Sequence, residues 1–284
     1  MEKRIFATFL TLLLIACLLV SCKSESKDLK TIDFHLTTEH YAFGVNKEDT
    51  ALLNSVNELI AKIKNDGTLD DIVNKYFSND TSKIKTFDGG EYLPCKDQLV
   101  VATHVPFSPF EYKIGDRYCG IDIEIASLIA EKIGKELVIK EYSFNEILTT
   151  VEDGSADIVM AGLTVSSERE KQVTFTSTYF DASQVIISRK NDTSFDNCKN
   201  VDEVVDIFAK MNKSTKIGYQ KDTVSQSYVQ GNNALGFTGL NTDSIGYESV
   251  YEASKALKNG EINYVIADEG AAKMIVEILN QQNR

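Results

Sequence analysis

Two charged residues, Arg169 and Asp268, occupy positions from which they could hold a small ionic ligand. Arg169 follows two serines in "SSEREKQVTFT", and such serines can cap the start of a helix. Its planar guanidinium matches the two oxygens of a carboxylate, and a helix start adds positive potential. Asp268 follows the apolar strand pattern "YVIA", and ligands of open α/β sheets lie beyond the carboxyl ends of strands. The two residues therefore suit a ligand with one negative and one positive group.

Motifs for several other chemistries are missing from the sequence. It contains no G-x-S-x-G, no phosphate loop, no G-x-G-x-x-G and no H-E-x-x-H. His35 and His40 do not share a strand face, which argues against a metal pair. Cys95, Cys119 and Cys198 match no zinc spacing and permit at most one disulfide. We therefore expect no catalytic residue, no metal and no cofactor.

The first residues have the pattern of a lipoprotein signal peptide. Lys3 and Arg4 precede an apolar run, which ends in "LVSC" at Cys22. This pattern predicts that residues 1–21 are removed, that Cys22 carries lipid and that residues 22–28 form a polar tether. The protein is then exported and anchored to a cell membrane, in the periplasm or on the outer face. An uncleaved anchor helix is the alternative.

Charge and length narrow the choice of partner and architecture. The chain has 284 residues and a formal net charge of −12, which argues against nucleic acid as a partner. The mature chain is longer than one compact core usually holds, so we expect two lobes.

Strand and helix patterns alternate along most of the chain. This alternation predicts an α/β fold with mainly parallel sheets flanked by helices. The polar stretch 189–197 is the predicted passage between lobes, and the polar stretch 78–97 is a predicted connector. Predicted strands are 29–36, 41–45, 99–103, 137–142, 157–161, 184–188, 216–219 and 264–267, and predicted helices lie at 52–63, 68–77, 121–133, 144–151, 201–208, from 223, and at 270–280.

Residues 98–188 resemble the polar-amino-acid class of bacterial solute-binding proteins that supply ABC importers. The matching motifs are "PFEY", "GIDIEIA", "GSADIVMAGLT" and "SSEREKQVTFT", and weaker matches follow in "KIGYQKDT" and "INYVIADEGAA". The resemblance implies a two-lobe, type II periplasmic-binding-protein fold. In that class, the segment similar to 41–77 comes last, whereas here it comes first. The chain therefore looks circularly permuted. Lobe 1 would comprise 39–188, with 78–97 joining the former ends, and lobe 2 would comprise 29–38 and 189–284.

The resemblance also implies a set of ligand-binding residues. Arg169 and Thr164 would bind a carboxylate, while Asp268 and the Gly162 carbonyl would bind an ammonium. Phe107 and Phe144 would form aromatic walls, and Phe110 belongs to the core. Thr223 would contribute from the second lobe, although Asp222 and Val224 replace the glycine and hydroxyl common there. The eight predicted ligand contacts are Phe107, Phe144, Gly162, Thr164, Arg169, Thr223, Asp268 and, as a specificity position, His104.

The expected function follows from this resemblance. A monomer would capture a polar amino acid between its lobes, and an ABC transporter permease would recognise the closed form. A sensor subunit for a signalling receptor would need the same pocket. An enzyme similar to cyclohexadienyl dehydratase would need a cleft acid, for which Glu111 is a poor candidate. A surface adhesin is the remaining alternative if no small molecule binds.

Overall fold

A computed structural model describes residues 27–78 and 81–282 of the chain. The predicted leader, the lipidation site Cys22 and most of the predicted tether lie outside these residues. Within them, no helix combines the length and hydropathy that crossing a membrane requires. Two five-stranded sheets, each covered by helices, make up two lobes.

The described part of the chain alternates between strands and helices from end to end. Its strands are β1 (Leu29–Ile32), β2 (Glu39–Tyr41), β3 (Gly44–Val45), β4 (Gln98–Thr103), β5 (Tyr112–Ile114), β6 (Arg117–Cys119), β7 (Glu136–Glu141), β8 (Ile158–Val159), β9 (Thr174–Phe175), β10 (Phe180–Ala182), β11 (Gln184–Arg189), β12 (Lys216–Gln220), β13 (Asp243–Tyr247) and β14 (Tyr264–Asp268). Its helices are α1 (Thr50–Asn65), α2 (Thr68–Phe77), α3 (Ile121–Ile133), α4 (Thr149–Glu152), α5 (Val201–Lys210), α6 (Val224–Gln230), α7 (Val250–Lys258) and α8 (Glu269–Gln281), with single 3-10 turns at Thr81–Lys83, Arg169–Lys171 and Asn233–Leu235.

The first lobe is built on the sheet β7-β4-β8-β3-β9. Strand β4 runs parallel to β7 and β8, and β3 runs antiparallel to β8 and β9. Helices α1, α2 and α3 place an apolar face on this sheet, with Val56, Ile72 and Ile125 almost wholly buried. Because both faces of β4 are covered, all six of its residues are buried.

The second lobe is built on the sheet β1-β11-β14-β12-β13. Strands β12, β13 and β14 are parallel, whereas β11 runs antiparallel to both β1 and β14. Helices α7 and α8 cover one face, and α5 and α6 cover the other. The carboxyl ends of β12 and β14 therefore lie together at one edge of the sheet, facing the first lobe.

The first and last elements of the described chain are neighbours. The side chain of Asn280 in α8 accepts a hydrogen bond from the Leu29 N–H at 2.8 Å and donates one to the Leu29 carbonyl at 3.0 Å. Strand β1 also pairs with β11 along its whole length. The N-terminal strand is therefore an integral part of the second lobe, beside its last helix.

The boundary predicted at residue 188 differs from the structure. Residues 184–188 belong to β11, which pairs in the second sheet, so the chain crosses between lobes before Gln184. The crossing is made by a two-stranded ribbon of β2 and β10. The predicted passage at 189–197 is therefore wrong, and it lies wholly within the second lobe. An apolar strand pattern is the same in either sheet, so the sequence could not assign "QVIIS" to its neighbours.

Two predicted helices are shorter in the structure. The helix expected from "SSERE" is a single turn, Arg169–Lys171, because the chain enters β9 at Thr174 and leaves room for no more. The Ser166 hydroxyl does cap this turn, since it accepts a hydrogen bond from the Arg169 N–H at 3.3 Å. Of the helix expected over 144–151, only its end is α-helical, in α4 (Thr149–Glu152).

Candidate functional site

A cavity lies between the lobes, where strand ends of both sheets meet. Residues following β4, β7 and β8 form its first-lobe side, and residues at the ends of β12 and β14 form its second-lobe side. All eight residues predicted to contact a ligand line this one cavity, and their contact with a ligand stays a prediction. The lining consists of His104, Phe107, Glu111, Phe144, Ala161, Gly162, Thr164, Arg169, Gln220, Thr223, Val224 and Asp268.

Arg169 supplies the cationic group of the cavity. Its Nη1 donates a hydrogen bond to the Thr164 carbonyl at 2.8 Å, and its guanidinium carbon lies 5.4 Å from the centre of the Phe144 ring. The carbonyl and the ring hold the guanidinium in place and leave other N–H groups for a ligand. This arrangement suits a carboxylate, which takes two parallel hydrogen bonds from one guanidinium.

Asp268 supplies an acid from the opposite lobe. It ends β14, is 8% exposed, and accepts a hydrogen bond from the hydroxyl of Tyr41. Burial raises the pKa of Asp268 to about 7, and the nearby charge of Glu39 adds to this rise. A ligand ammonium at this position would replace the missing counter-charge and stabilise the ionised carboxylate.

A second acid, Glu111, lines the cavity and has no donor. It is fully buried, and among the described residues neither carboxyl oxygen has a hydrogen-bond partner. Burial, together with the neighbouring Asp122 and Asp268, raises the pKa of Glu111 well above its usual value. Both effects favour the protonated form of Glu111. The sequence indicated this residue only as a weak candidate for an enzyme, because its partners lie on other elements.

Asp122 supports the wall of the cavity from behind. It accepts a hydrogen bond from the Gly162 N–H at 2.9 Å and one from the hydroxyl of Tyr179 at 2.5 Å. Gly162 has φ +54°, and a Cβ there would lie 2.5 Å from a ring carbon of Phe107. Only glycine fits this contact, so the Phe107 ring can lie directly against the backbone.

Thr164 differs from its predicted role. Its hydroxyl donates to Glu39 at 2.6 Å, so the proton is not free for a ligand carboxylate. The hydroxyl oxygen can still accept a hydrogen bond, which suits an ammonium. Glu39 also accepts from Thr37 at 2.7 Å and from Gln184 at 2.9 Å. Glu39 is 125 positions away from Thr164, and no local pattern could indicate this contact.

The second-lobe residues are arranged around the end of β12. Thr223 donates its hydroxyl proton to the Gln220 carbonyl at 2.7 Å. Asp222 has φ +62°, and its N–H donates to Gln226 at 2.8 Å. Asp222 lines an adjoining groove rather than this cavity. Its acid group is therefore kept away from the place predicted for a ligand carboxylate.

His104 and Gln220 meet across the two lobes. His104 Nδ1 lies 3.0 Å from the Tyr142 carbonyl, and its Nε2 lies 3.4 Å from the Gln220 side-chain nitrogen. The ring of His104 also contacts the edge of Phe144, with centres 5.7 Å apart. Gln220 was not among the predicted contacts, because a glutamine at a strand end carries no distinctive signal.

Other predicted groups have structural surroundings. Phe110 is 1% exposed and packs in the first core. Within the described residues, no cluster of His, Cys, Asp or Glu could hold a metal ion, and the three cysteines Cys95, Cys119 and Cys198 are free thiols.

Comparisons with known proteins find similarity to arginine-binding proteins and to an enzyme. It is 38% identical over 96 residues to the arginine-binding extracellular protein ArtP of Bacillus subtilis (strain 168), covering 34% of this chain and 38% of ArtP. It is 27% identical over 169 residues to the ABC transporter arginine-binding protein 1 of Escherichia coli (strain K12), covering 60% of this chain and 61% of that protein. The chain thus spans less than two thirds of the length of these relatives. A cyclohexadienyl dehydratase of Pseudomonas aeruginosa is 29% identical over 107 residues, covering 37% of this chain and 40% of the enzyme.

A solved structure and a family model give the same assignment. An ancestral arginine-binding protein bound to arginine matches with a TM-score of 0.53 and 29% identity, over 64% of this chain and 74% of that one. The model of the bacterial extracellular solute-binding proteins, family 3, matches residues 8–79 and 99–235, which is more than half of the chain. With a two-lobe α/β fold and an interlobe cavity, the chain belongs to the bacterial extracellular solute-binding proteins of family 3.

Proposed function

We propose that this protein captures a polar amino acid between its lobes and delivers it to an ABC transporter permease. The observation that carries the proposal is that Arg169 and Asp268, from different lobes, line one cavity. Burying either charge of a zwitterion without a partner costs several kcal/mol, so a site for amino acids needs both. The arginine-binding names of the relatives support an amino acid as the ligand.

The geometry supports a specific role for each group. Arg169 binds the ligand carboxylate with its free N–H groups. Asp268 pairs with the ammonium, which also donates to the Thr164 hydroxyl oxygen and the Gly162 carbonyl. Phe107 and Phe144 flank the rest of the ligand, with the binding area and rigidity of aromatic rings. On the second-lobe side, the Thr223 hydroxyl donates its proton to the Gln220 carbonyl. Thr223 therefore accepts a hydrogen bond from the ligand or excludes solvent.

Closure follows from the division of the site between lobes. A ligand that touches both lobes gains more contacts in the closed form and shifts the population toward it. The ribbon of β2 and β10 is the hinge in this proposal, and Glu39 joins it to Thr164 and Gln184 by hydrogen bonds. The permease then recognises the closed form.

We also propose that the protein is exported as a lipoprotein anchored through Cys22 and that it acts as a monomer outside the cytoplasm. The leader pattern at residues 1–21 supports export. A lipid chain would keep the binding protein near the permease in the same membrane.

The order of elements supports a circular permutation. Residues 41–77 precede the rest of the first lobe in sequence, although in the resembling class this segment comes last. The contacts of Asn280 with Leu29 put β1 next to α8, as a former loop between these two elements would require. Moving the ends to such a loop leaves sheets and cores unchanged.

A thermal-shift screen of the purified protein against the common amino acids tests the function. We expect at least one amino acid to raise the melting temperature of the wild type. Arg169→Ala should weaken binding of that amino acid by about 3–5 kcal/mol, because the ligand carboxylate loses its counter-charge in a buried site. Arg117→Ala, an exposed arginine paired with Asp88, is the control and should bind normally. Equal stabilisation of Arg169→Ala and the wild type would refute the carboxylate assignment.

An enzyme of the dehydratase type is the alternative that a specific observation favours. Glu111 is a buried acid in the cavity whose pKa is raised by burial and by neighbouring acids, and a raised pKa suits a general acid. Incubating the protein with prephenate and measuring product formation distinguishes the two functions. Turnover would favour the enzyme, whereas amino-acid binding without turnover supports transport. A sensor subunit would bind the same ligand and is distinguished by its partner.

A further inference from the structure

The carboxamide of Gln220 points into the cavity and has one oxygen without a partner. Gln220 is 5% exposed and lies at the end of β12. Its backbone carbonyl accepts from Thr223, and its side-chain nitrogen faces His104. Among the described residues, no donor lies within hydrogen-bonding distance of its Oε1. Because Gln220 lines the cavity, this oxygen offers a hydrogen-bond acceptor to a ligand donor there.

The hydrogen bonds of His104 fix the orientation of this amide. The Tyr142 carbonyl can only accept, so Nδ1 of His104 must carry a hydrogen to make the 3.0 Å contact. In a neutral imidazole the other nitrogen, Nε2, is then an acceptor. The atom of Gln220 that lies 3.4 Å from it is the side-chain nitrogen, which can donate to such an acceptor. Oε1 and the second amide hydrogen are the groups left for a ligand.

In the lining formed by the described residues, Arg169 is the one Arg or Lys, and Glu111 and Asp268 are the acids. Arg169 and Asp268 balance the carboxylate and ammonium that every amino acid carries. Burial and the neighbouring Asp122 and Asp268 raise the pKa of Glu111. A cationic ligand side chain would therefore have to ionise Glu111 against this shift, and an anionic side chain would find no second Arg or Lys among the described lining residues.

We propose that Gln220 is a specificity-determining residue and that the ligand is an amino acid with an uncharged carboxamide side chain, such as glutamine or asparagine. This inference rests on the proposed function. The ligand NH₂ donates to Gln220 Oε1, and the ligand carbonyl accepts the second N–H of Gln220. Both groups of the Gln220 amide then have hydrogen-bond partners. His104, from the other lobe, holds the Gln220 side chain in this orientation.

Isothermal titration calorimetry of the full chain, refolded from denaturant to remove bound ligand, tests the inference. L-Glutamine, L-asparagine, L-arginine, L-lysine, L-glutamate and L-serine are the probes. We expect glutamine or asparagine to bind at least about tenfold more tightly than the others, as one additional satisfied pair of buried hydrogen bonds implies. In Gln220→Glu, the affinity for the carboxamide should fall about tenfold, and the affinity for arginine should rise. Gln282→Glu adds the same charge at an exposed position and should change neither.

The outcomes separate this inference from the function on which it rests. Binding of arginine, lysine, glutamate or serine more tightly than either carboxamide overturns the inference and leaves the proposed function standing. Binding of no amino acid overturns both. An unchanged preference in a folded Gln220→Glu variant also overturns the role of Gln220. If that variant does not fold, the ranking of probes by the wild type still decides the ligand class.

Discussion

Among single residues, Asp268 couples ligand binding to protons. Its carboxyl is buried beside Glu39, and both effects raise its pKa from 3.8 to about 7 in the ligand-free protein. An ammonium paired with it favours the ionised form and lowers that pKa again. Binding therefore releases a proton at pH values below about 7 and above the lowered pKa of the bound form.

We predict that amino-acid affinity falls as the pH falls from 7 to 5, by up to about tenfold per pH unit. Calorimetry in two buffers of different ionisation enthalpy would count the released proton. Asp268→Asn should lose the pH dependence together with most of the affinity. Asp116→Asn, an exposed control, should retain both. An affinity that is independent of pH between 5 and 7 would contradict the pairing with Asp268.

Two raised pKa values determine how the stability of the ligand-free protein varies with pH. Asp268 and Asp122 both have pKa values raised to about 7, mainly by burial. The folded state therefore binds these protons more tightly than the unfolded chain. Their stabilising contribution is complete below about pH 4 and is lost as the pH rises to about 7. Urea unfolding would measure the free energy of unfolding at pH 5 and at pH 7.5. The decrease between the two pH values should be smaller in Asp122→Asn than in the wild type.

At the level of elements, the second lobe depends on a contact between its first strand and its last helix. The side chain of Asn280 makes two hydrogen bonds with the backbone of Leu29 at the outer edge of β1. No further strand of the described chain pairs with this edge of β1 in the sheet. The Asn280 side chain therefore makes the backbone hydrogen bonds that a neighbouring strand would otherwise make.

We predict that Asn280→Ala lowers the free energy of unfolding by about 1–3 kcal/mol, because two partly buried backbone groups lose their partner. Urea denaturation followed by circular dichroism would measure the change. Asn54→Ala lies on the exposed face of α1 and should be neutral or slightly stabilising, since alanine is the better helix former. Equal stability of the two variants would show that the contact contributes nothing.

For the whole molecule, the permutation makes a prediction about connectivity. A rearranged chain would begin at Gln98, continue to Gln282, pass through a short Gly-Ser linker, and end with residues 29–97. All sheet and core contacts survive this rearrangement, and only loop lengths change. Because doubling a loop costs about 0.6 kcal/mol, we expect the stability to change by less than about 2 kcal/mol.

Calorimetry and thermal unfolding would compare the rearranged and natural chains. Ligand affinity should agree within about threefold, well below the tenfold change that 1.4 kcal/mol produces. A control chain opened between Ala126 and Ser127, inside α3, should be strongly destabilised, because it divides a buried helix. Failure of the rearranged chain to fold would contradict the permutation.

The sequence by itself determined the kinds of elements and the types of residues at their ends. Apolar periodicity is a local property, so it indicated β4, β12, β14 and α8 and placed Asp268 where a strand ends. The resemblance to a known family indicated most of the other predicted contacts, and all eight line the same cavity.

The tertiary structure decided which elements and which hydrogen-bonding groups became partners. It placed β11 in the second sheet and made Glu39 the acceptor of the Thr164 hydroxyl proton. It also placed His104 beside the side-chain nitrogen of Gln220. These choices join residues that are distant in sequence, and a strand or a hydroxyl offers the same groups to many partners. Only the packing of the whole chain, which brings one partner within reach and excludes the rest, selects among them.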